Sequence, residues 1–300
     1  MTLRFGVAGT GHWANIVHIP GLKAQTEVEL VGVWGRNPDL LKEVAGRHGF
    51  AAFADFRDML KKVDAVSISL PPMIQAELAC IAADAGKHLL LEKPIAQTVE
   101  SAEKIAAVAS RSGISTVVFF TRRFVPEFER SLQAASRRSW TGARVTQHTD
   151  ALLPGSPYER SVWRQADNGA LWDLAPHVLA AMLAILGPVE RISAEHRPGR
   201  NTVFTATHRN GAVSEVSLAL HVEPAKTVSE YRLLATDESY VLPLPAFERP
   251  WALSNAAGEL AANVRRGERK HRCDVDFGLD VVRALAAADR SIATGRPETV

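Results

Sequence analysis

The sequence predicts an α/β protein of two domains, residues 1–120 and 121–300, with a parallel sheet in the first and a mainly antiparallel sheet in the second. Its 300 residues exceed the size at which one hydrophobic core usually stops growing, so two domains are expected. The first 120 residues alternate short strand-like runs with helical patterns, which is typical of a parallel sheet. After Phe120 longer strand-like runs follow one another, and Asn210-Gly211 between two of them predicts a hairpin.

Six strands are predicted in the first domain, with helices between them. Right-handed crossovers bring the carboxyl ends of such strands to one edge of the sheet, where ligands bind. The predicted strands are Leu3–Ala8, Glu29–Trp34, Ala51–Phe53, Ala65–Leu70, His88–Leu91 and Ser115–Phe120. The predicted helices are Trp13–Leu22, Asp39–His48, Asp55–Lys61, Ile74–Ala85 and Thr98–Ser110.

The second domain is predicted to combine strands with buried helices. Apolar residues at every second position from Val216 to Val222 fit a sheet whose two faces differ. The apolar run Val178–Leu186 indicates a buried helix, and a last helix over Val275–Thr294 ends at a normal stop signal. The predicted strands are Ala143–Leu153, Val189–Arg197, Thr202–Arg209, Ala212–Val222, Thr227–Ala235 and Ser239–Leu244.

The charge of the chain gives no reason to expect a nucleic-acid partner. Lys and Arg total 35 against 33 Asp and Glu, a formal net charge of +2, which creates no strong attractive field. The basic run from Arg265 to Arg272 has no apparent reading helix or stacking aromatic residue beside it. We therefore expect a solvated loop there.

Cysteine content and hydropathy favour a cytoplasmic protein that makes no membrane contact. Cys80 and Cys273 are too few for a disulfide framework, which suits a reducing compartment. No apolar stretch approaches the roughly 20 residues that span a bilayer. The N-terminus also lacks the features of a signal peptide.

The segment Gly9-Thr10-Gly11-His12-Trp13-Ala14 follows a predicted strand and opens a predicted helix. In this pattern the first glycine permits a tight turn and the second lets the backbone approach a pyrophosphate. The third position, here Ala14, must stay small for close helix–strand packing. The helix N-terminus then faces the phosphate charge. The sequence therefore predicts a Rossmann domain that binds a dinucleotide through residues 9–13; the alternative is a similar turn that binds no ligand.

Arg36 and Asn37, after the second strand, bear on the choice between NAD and NADP. An NAD site usually has a carboxylate here to hold the ribose 2′-hydroxyl, and Trp34, Gly35 and Arg36 supply none. A guanidinium pairs well with a 2′-phosphate. NADP is therefore predicted in preference to NAD, with Asn37 adding a hydrogen bond. Two alternatives stay open: Arg36 faces solvent, or it stacks on the adenine of either cofactor.

Glu92-Lys93-Pro94 follows the short apolar run His88–Leu91, at the carboxyl end of a predicted strand. Lys93 therefore stands at the sheet edge where a nicotinamide ring is expected. Pro94 favours an extended conformation for Lys93. A lysine at this place can exchange a proton with a substrate hydroxyl; the alternative is a solvated lysine at the start of a helix.

Asp173 and His177 are four residues apart, so at helical spacing they share one face. A carboxylate beside a histidine orients the imidazole ring, which suits a base that collects a hydroxyl proton while hydride leaves carbon. In the alternative, Asp173 caps the helix, with Pro176 tolerated in its first turn. A metal site needs a third ligand at a recognisable spacing, and the sequence offers none.

Together these motifs resemble those of the glucose–fructose oxidoreductase / inositol dehydrogenase (Gfo/Idh/MocA) family. The resemblance covers nearly the entire chain. It implies an N-terminal Rossmann domain and a C-terminal α+β domain with an open-faced sheet. It rests on the glycine turn, Glu92-Lys93-Pro94, Trp163-Arg164, and Gly169-Ala170-Leu171-Trp172-Asp173 with His177.

The same resemblance implies roles for individual residues. Lys93 and His177 would handle the substrate proton, and Asp173 would contact the substrate or orient His177. Arg164 would lie near the cofactor or substrate. The open sheet face would form the interface of a homo-oligomer, a dimer or a tetramer. Further cofactor contacts are expected from Leu70, Pro71, Gln75, Glu92 and Lys93.

The chain departs from the family pattern at several positions. Asn168 stands where a glycine is usual, and Gln75 where a histidine is frequent. Ala180 stands where many polyol-oxidising members carry an aspartate. His18, in the first helix, is predicted only as a capped or packed helix residue.

These observations favour an oxidoreductase that transfers a hydride between a nicotinamide cofactor and a secondary alcohol or ketone. The small-molecule substrate would be a sugar, a cyclic polyol or a related compound. One alternative is a non-catalytic nicotinamide-binding sensor or regulatory subunit, which the altered loop at Asn168 would suit. Another is a reductase of a carbon–carbon double bond. Retention of Lys93, Asp173 and His177 argues against the sensor.

Overall fold

The chain forms two units, each built from two separate segments. The computed structural model describes residues 2–199 and 201–300. The first unit joins residues 1–125 to 247–279, and the second joins 126–246 to 280–300. A division close to residue 120 was expected from the sequence, whereas the return of residues 247–279 to the first unit was not.

The first unit contains a six-stranded sheet in which every strand pairs in parallel with its neighbours. The order β3-β2-β1-β4-β5-β6 is that of a Rossmann fold and confirms the predicted fold class. Its strand β4 ends two residues earlier than predicted. The strands are β1 (Leu3–Ala8), β2 (Val28–Trp34), β3 (Ala51–Phe53), β4 (Ala65–Ile68), β5 (His88–Leu91) and β6 (Thr116–Val118).

The second unit contains a seven-stranded mixed sheet of order β12-β11-β7-β10-β9-β8-β13. Among the described residues of this sheet, β7 and β10 pair in parallel and the other neighbouring strands are antiparallel, so the predicted mainly antiparallel sheet is confirmed. The hairpin expected at Asn210-Gly211 joins β9 to β10. The strands are β7 (Gly142–His148), β8 (Val189–Arg197), β9 (Asn201–His208), β10 (Val213–Ala219), β11 (Val228–Leu234), β12 (Ser239–Val241) and β13 (Glu298–Thr299).

Helices connect and cover both sheets. A π-helical turn over Ala14–His18 runs directly into the first α-helix, and short 3-10 turns lie at Thr121–Phe124 and Pro224–Lys226. The helices are α1 (Ile19–Ala24), α2 (Pro38–His48), α3 (Phe56–Leu60), α4 (Pro72–Asp84), α5 (Val99–Ser112), α6 (Pro126–Ser136), α7 (Val162–Gln165), α8 (Gly169–Leu186), α9 (Arg249–Arg266) and α10 (Val275–Thr294).

Helix α9 was not anticipated from the sequence, and it packs against α1 in the first unit. A Cβ atom on Gly21 of α1 would lie 2.6 Å from the carbonyl oxygen of Pro250 and 2.8 Å from Cδ2 of Leu253. The two helices therefore approach closely, and a larger residue than glycine would separate them. Half of the buried residues of α9 are alanines, which give a weak hydrophobic signal.

The basic run at 265–272 is not a single solvated loop, which corrects that prediction. Arg265 and Arg266 belong to the last turn of α9. Most of its basic side chains form ion pairs with carboxylates. The pairs are Arg265–Glu27, Arg266–Glu268, Lys270–Asp276 and Arg272–Glu259.

Helix α8 is the central helix of the second unit, and it packs on β7, β9 and β10. It begins at Gly169, so Asp173 is not its N-cap and Pro176 lies inside the helix rather than in its first turn. Burial holds the helix together, although Pro176 lacks the N–H that would complete the backbone hydrogen bonds. By length and composition α8 could cross a membrane, but 83% of it is buried, as in the core helix of a folded domain.

The second sheet has one covered and one open face. On adjacent strands Val145, Phe204 and Val216 point to the covered side and are buried. Arg144 and Glu215, on the opposite side, are exposed and form an ion pair of 2.8 Å. The open face is thus polar, with charges already paired along neighbouring strands.

Candidate functional site

The glycine turn after β1 has the geometry that a dinucleotide needs. Gly9 has a φ of +135°, and a Cβ atom there would lie 2.5 Å from the carbonyl oxygen of Ser69. Its N–H donates to the carbonyl oxygen of Trp34 at 2.8 Å. By contrast, a Cβ atom on Gly11 would have no heavy atom within 4 Å. Packing within the chain therefore requires glycine at position 9, whereas packing among the described residues sets no such requirement at position 11.

The end of β2 lies against this turn. A Cβ atom on Gly35 would be 2.6 Å from Cγ2 of Thr10, so the two segments touch. Arg36 follows and is exposed. The Oδ1 atom of Asn37 accepts hydrogen bonds from the backbone N–H groups of Asp39 and Leu40 at 3.0 and 3.1 Å, which caps α2.

These residues fit a dinucleotide. An exposed guanidinium, the open space at Gly11 and a helix starting directly after the turn are the features that pyrophosphate and a 2′-phosphate need. His12 is exposed and Trp13 half-buried at the start of that helix. Leu70 is half-buried after β4, and Pro71 is exposed at the N-cap of α4.

Gln75 of α4 fixes the loop that carries Lys93. Its Oε1 accepts from the backbone N–H of Glu92 at 2.8 Å, and its Nε2 donates to the carbonyl oxygen of Glu92 at 2.7 Å. Nε2 also reaches the carbonyl oxygens of Pro94 and Ile95 at 3.2 and 3.4 Å. The Gln75 side chain is fully buried. Any contribution of Gln75 to cofactor binding therefore passes through this loop.

The carboxylate of Glu92 is held by the helix that follows the glycine turn. Trp13 Nε1 donates to Oε1 of Glu92 at 2.7 Å, and Nε2 of His18 lies 3.0 Å from the same oxygen. The second oxygen, Oε2, accepts from the backbone N–H of Lys93 at 3.2 Å. Glu92 therefore binds protein groups on both oxygens.

His18 also contacts Ser67, because its Nδ1 lies 2.8 Å from Oγ of that serine. The connectivity Ser67–His18–Glu92 is that of a hydrolase triad. However, Ser67 lies within β4 and is fully buried. This serine cannot reach a substrate, so nucleophilic hydrolysis at this place is excluded.

Lys93 lies directly after β5, at the carboxyl end of the parallel sheet, as predicted. Its side chain is half-buried, between the half-buried Glu92 and the buried Pro94. The first unit thus brings the glycine turn and the Lys93 loop together through Trp13, His18 and Glu92.

In the second unit, Arg164 and Asp173 form a two-point ion pair. Nε and Nη2 of Arg164 lie 2.9 and 3.3 Å from the carboxylate oxygens of Asp173. The guanidinium lies 4.1 Å from the ring centroid of Trp163 and 4.7 Å from that of Tyr158. The sequence prediction linked Asp173 to His177 or to substrate, and it did not anticipate this partner.

The chain geometry between α7 and α8 aligns this ion pair. A Cβ atom on Gly169 would collide with the carbonyl oxygen of Arg164, so only glycine fits there. Asn168, next to it, donates from Nδ2 to Oδ1 of Asp289 at 3.1 Å. His177 lies one turn after Asp173 on α8 and is half-buried. Among the described residues, no group of three or more His, Cys, Asp or Glu side chains could hold a metal ion.

Sequence reasoning missed three residues of this arrangement. His18 and Ser67 are 49 residues apart in sequence, and neither motif predicts their contact. Arg249, at the start of α9, places its guanidinium 5.6 Å from the ring centroid of Trp13. One sequence feature could have indicated a role for His18: it is a polar residue between two apolar residues, Val17 and Ile19, that are both buried.

Comparisons with known proteins agree with this architecture. Residues 3–120 match the model of the Gfo/Idh/MocA family, described as an oxidoreductase family with an NAD-binding Rossmann fold. The dTDP-3,4-didehydro-2,6-dideoxy-alpha-D-glucose 3-reductase of Streptomyces antibioticus is 30% identical over 245 residues, 78% of this chain and 73% of that protein. The NADP(+)-dependent scyllo-inositol 2-dehydrogenase IolU of Bacillus subtilis is 23% identical, over 64% of this chain and 61% of that protein.

The fold extends over the whole chain in solved structures. Levoglucosan dehydrogenase in complex with NADH and L-sorbose has a TM-score of 0.86 and 20% identity, covering 100% of this chain and 99% of that one. The sequence matches are shorter than this. The chain spans about half to two thirds of the length of three curated relatives that it matches, 53%, 54% and 62%.

Proposed function

The chain belongs to the Gfo/Idh/MocA oxidoreductase family, and from that premise we propose that it is an NAD(P)-dependent dehydrogenase or reductase. It would interconvert a secondary alcohol and a ketone on a sugar, a cyclic polyol or a related small molecule. One observation carries this proposal. The carboxylate of Glu92 binds Trp13 and His18 at the glycine turn and also the backbone N–H of Lys93, so it holds both segments of the site. Relatives named for keto-sugar and inositol chemistry support the substrate class.

The proposed cofactor is NADP in preference to NAD. Its nicotinamide ring supplies the hydride acceptor or donor when bound. Gly9, Thr10, Gly11, His12 and Trp13 would hold the pyrophosphate region. Arg36 is exposed at the end of β2 with no carboxylate among residues 34–36, which supports a 2′-phosphate. The NADP-dependent relative supports the same choice.

Lys93 and His177 are the proposed proton-handling residues. A ketone gains a proton on oxygen when hydride reaches its carbon, and a hydroxyl loses one in the reverse direction. A lysine ammonium or a protonated imidazole can supply that proton, and the neutral amine or neutral imidazole can accept it in the reverse direction. Asp173, paired with Arg164, would shape the surroundings of His177 or contact the substrate.

Replacing Lys93 tests the proposal. Lys93→Met keeps an unbranched side chain that is one atom shorter and removes the ionisable amine, so turnover should fall by roughly a hundredfold to ten-thousandfold. NADPH affinity, measured by calorimetry, should change little. Lys62→Met removes an exposed lysine of the same unit and serves as the matched control. Full activity of Lys93→Met on the true substrate would contradict the role of Lys93.

A screen of substrates separates this function from its alternatives. Purified protein would be mixed with NADPH or NADP and a panel of sugars, polyols, keto-sugars and conjugated enones, with absorbance at the reduced-nicotinamide band as the readout. Turnover of polyols or keto-sugars supports the proposal. Cofactor binding without turnover on any compound would favour the sensor, and turnover of enones alone would favour the carbon–carbon reductase.

We also infer a homo-oligomer formed through the open face of the second sheet. That face is polar with scattered exposed valines, among them Val213 and Val228, which suits an interface between folded subunits rather than a core. Light scattering of the purified protein would distinguish a dimer or tetramer from a monomer. A cytoplasmic location is proposed with it, because two cysteines among 300 residues are too few for a disulfide framework.

A further inference from the structure

His18 is a fully buried polar side chain that the proposed chemistry does not use directly. Its ring spans two groups, with Nδ1 2.8 Å from Oγ of Ser67 and Nε2 3.0 Å from Oε1 of Glu92. Both His18 and Ser67 have no exposed surface. A buried imidazole with partners on both nitrogens is held in one orientation.

The direction of these hydrogen bonds follows from the chemistry of the partners. An ionised carboxylate can only accept, so Nε2 of His18 must carry a proton and donate it to Glu92. The hydroxyl of Ser67 can donate or accept, so it adapts to whichever state Nδ1 has. Glu92 therefore fixes the ring tautomer, and the ring in turn fixes one oxygen of Glu92.

The π-helical turn explains why Trp13 and His18 reach the same oxygen. The backbone N–H of Ile19 donates to the carbonyl oxygen of Ala14, five residues earlier. In a regular α-helix, residues five apart are separated by about 140° around the axis. The wider turn brings such residues closer to one side of the helix, and π turns are frequent at functional sites. Trp13 and His18 are five apart and both contact Oε1 of Glu92.

Glu92 passes this constraint to Lys93. While Oε1 is held by Trp13 and His18, Oε2 accepts from the backbone N–H of Lys93 at 3.2 Å. Rotation of the Glu92 carboxylate would break that bond, so a fixed carboxylate means a fixed backbone at Lys93. Gln75 holds the backbone of Glu92 itself, and it does not contact the Glu92 carboxylate in any of its four bonds.

We propose that His18 is a positioning residue for Lys93, acting through the carboxylate of Glu92. The inference rests on the proposed function, in which Lys93 handles the substrate proton. Misplacement of a proton-handling group by about 1 Å can reduce turnover by roughly a hundredfold. Loss of His18 should therefore lower kcat far more than it weakens cofactor binding.

Two amide substitutions separate this role from simple packing. In His18→Gln the amide nitrogen stands the same number of bonds from Cα as Nε2, so the donor to Glu92 is retained. In His18→Asn the amide stands at the position of Nδ1, so the contact with Ser67 is retained and the donor to Glu92 is lost. Both variants place an uncharged amide in the same buried space. Ser67→Ala removes the partner on the far side of the ring.

Kinetics and calorimetry on the full-length protein give the first readout. For His18→Asn we expect kcat to fall roughly ten- to a hundredfold, with the Kd of NADPH within about threefold of wild type. His18→Gln and Ser67→Ala should keep kcat within about threefold of wild type. Equal kcat values for His18→Asn and His18→Gln would overturn the proposal, because a packing role does not distinguish the two.

Crystal structures of the two variants give a second readout that needs no activity. In His18→Asn the backbone of residues 92–95 should be displaced relative to wild type, and in His18→Gln it should not. An unmoved loop in His18→Asn would overturn the positioning role. If the wild type turns over no compound of the panel, the oxidoreductase proposal fails, and the loop positions alone then decide the role of His18.

Discussion

The side-chain amide of Gln75 forms two hydrogen bonds with the backbone of Glu92, in the pattern by which neighbouring β-strands pair. Its side-chain amide accepts from the N–H of Glu92 at 2.8 Å and donates to the carbonyl oxygen of the same residue at 2.7 Å. A helix side chain thereby supplies the backbone hydrogen bonds of a loop that follows the end of β5. Gln75 is thus a structural support of the Lys93 loop.

Replacing Gln75 should destabilise the first unit. Gln75→Ala leaves the N–H and carbonyl groups of Glu92 and its neighbours without partners in a buried place, which should cost roughly 2–4 kcal/mol in the free energy of unfolding. Urea unfolding followed by circular dichroism measures the loss. Gln133→Ala, at an exposed position of α6, is the control and should change stability little. If Gln75→Ala were as stable as wild type, water would replace the amide without loss of free energy of unfolding, and the prediction would be wrong.

The two glycines of the turn should respond differently to alanine. Gly9→Ala demands a positive φ and a contact with the carbonyl oxygen of Ser69, so we expect a loss of at least roughly 2 kcal/mol in stability. In Gly11→Ala the new Cβ atom would have no heavy atom of the described residues within 4 Å, its two sequence neighbours aside, so thermal unfolding should match wild type while dinucleotide affinity falls. Calorimetric titration with NADPH measures that affinity. Undiminished binding by Gly11→Ala would place the pyrophosphate elsewhere.

The preference for NADPH over NADH should depend on Arg36. A charge-assisted hydrogen bond to the 2′-phosphate contributes about 1.5–3 kcal/mol, or roughly ten- to a hundredfold in affinity. We expect wild type to bind NADPH more tightly than NADH, and Arg36→Ala to lose that difference with little effect on NADH. Titration of both cofactors against both proteins measures it, with Arg57→Ala as an exposed control in α3. Equal affinities in the wild type would remove the basis for the NADP assignment and leave the dehydrogenase proposal intact.

The second unit should lose stability in weak acid through His208. Burial lowers the pKa of His208 from its ordinary value of 6.5, and the backbone carbonyl of Gly187 opposes this only in part. Below pH 6.5 His208 is therefore protonated in the unfolded chain but still neutral in the folded protein. Above pH 6.5 the histidine is neutral in both states, and the free energy of unfolding has its full value. As the pH falls from 6.5 towards the lowered pKa, the free energy of unfolding decreases, by about 1.4 kcal/mol for each pH unit by which the pKa is lowered.

Unfolding in urea between pH 7.5 and 5 checks this prediction. His208→Asn should flatten the dependence of the free energy of unfolding on pH, whereas His196→Asn, at an exposed position of β8, should not. Burial also lowers the pKa of His88 and His148, so part of the slope should remain in the variant. Identical slopes in wild type and His208→Asn would contradict the assignment.

Much of the first sheet could be predicted because its strands are short, apolar and separated by helical patterns. The prediction for β1 and β5 agrees with the structure at both ends. Helix α9 was missed although its buried positions recur at 252–253, 256–257 and 260–261. Four of those six residues are alanine, which gives little contrast between the two faces of a helix.

The candidate residues could be found individually, but not their partners. The motifs identified Lys93, Glu92, Asp173 and the glycine turn. Sequence gives no distance between residues far apart in the chain, so the contacts of His18 with Glu92 and of Gln75 with the same loop were out of reach. The pairing of Arg164 with Asp173 depends on Gly169. A side chain at position 169 would collide with the carbonyl oxygen of Arg164, and only the structure shows this contact.

The split composition of the first unit has a consequence for synthesis. When the first 125 residues leave the ribosome, α9 has not yet been made, and residues up to 279 must follow before the unit is complete. At about 5–20 residues per second this delay lasts roughly 8–30 s. During that time α9 does not yet cover the side of α1 that bears Gly21. Chaperones bind exposed apolar surface of this kind. A gene fragment cut at residue 125 would leave the nascent protein permanently in that state.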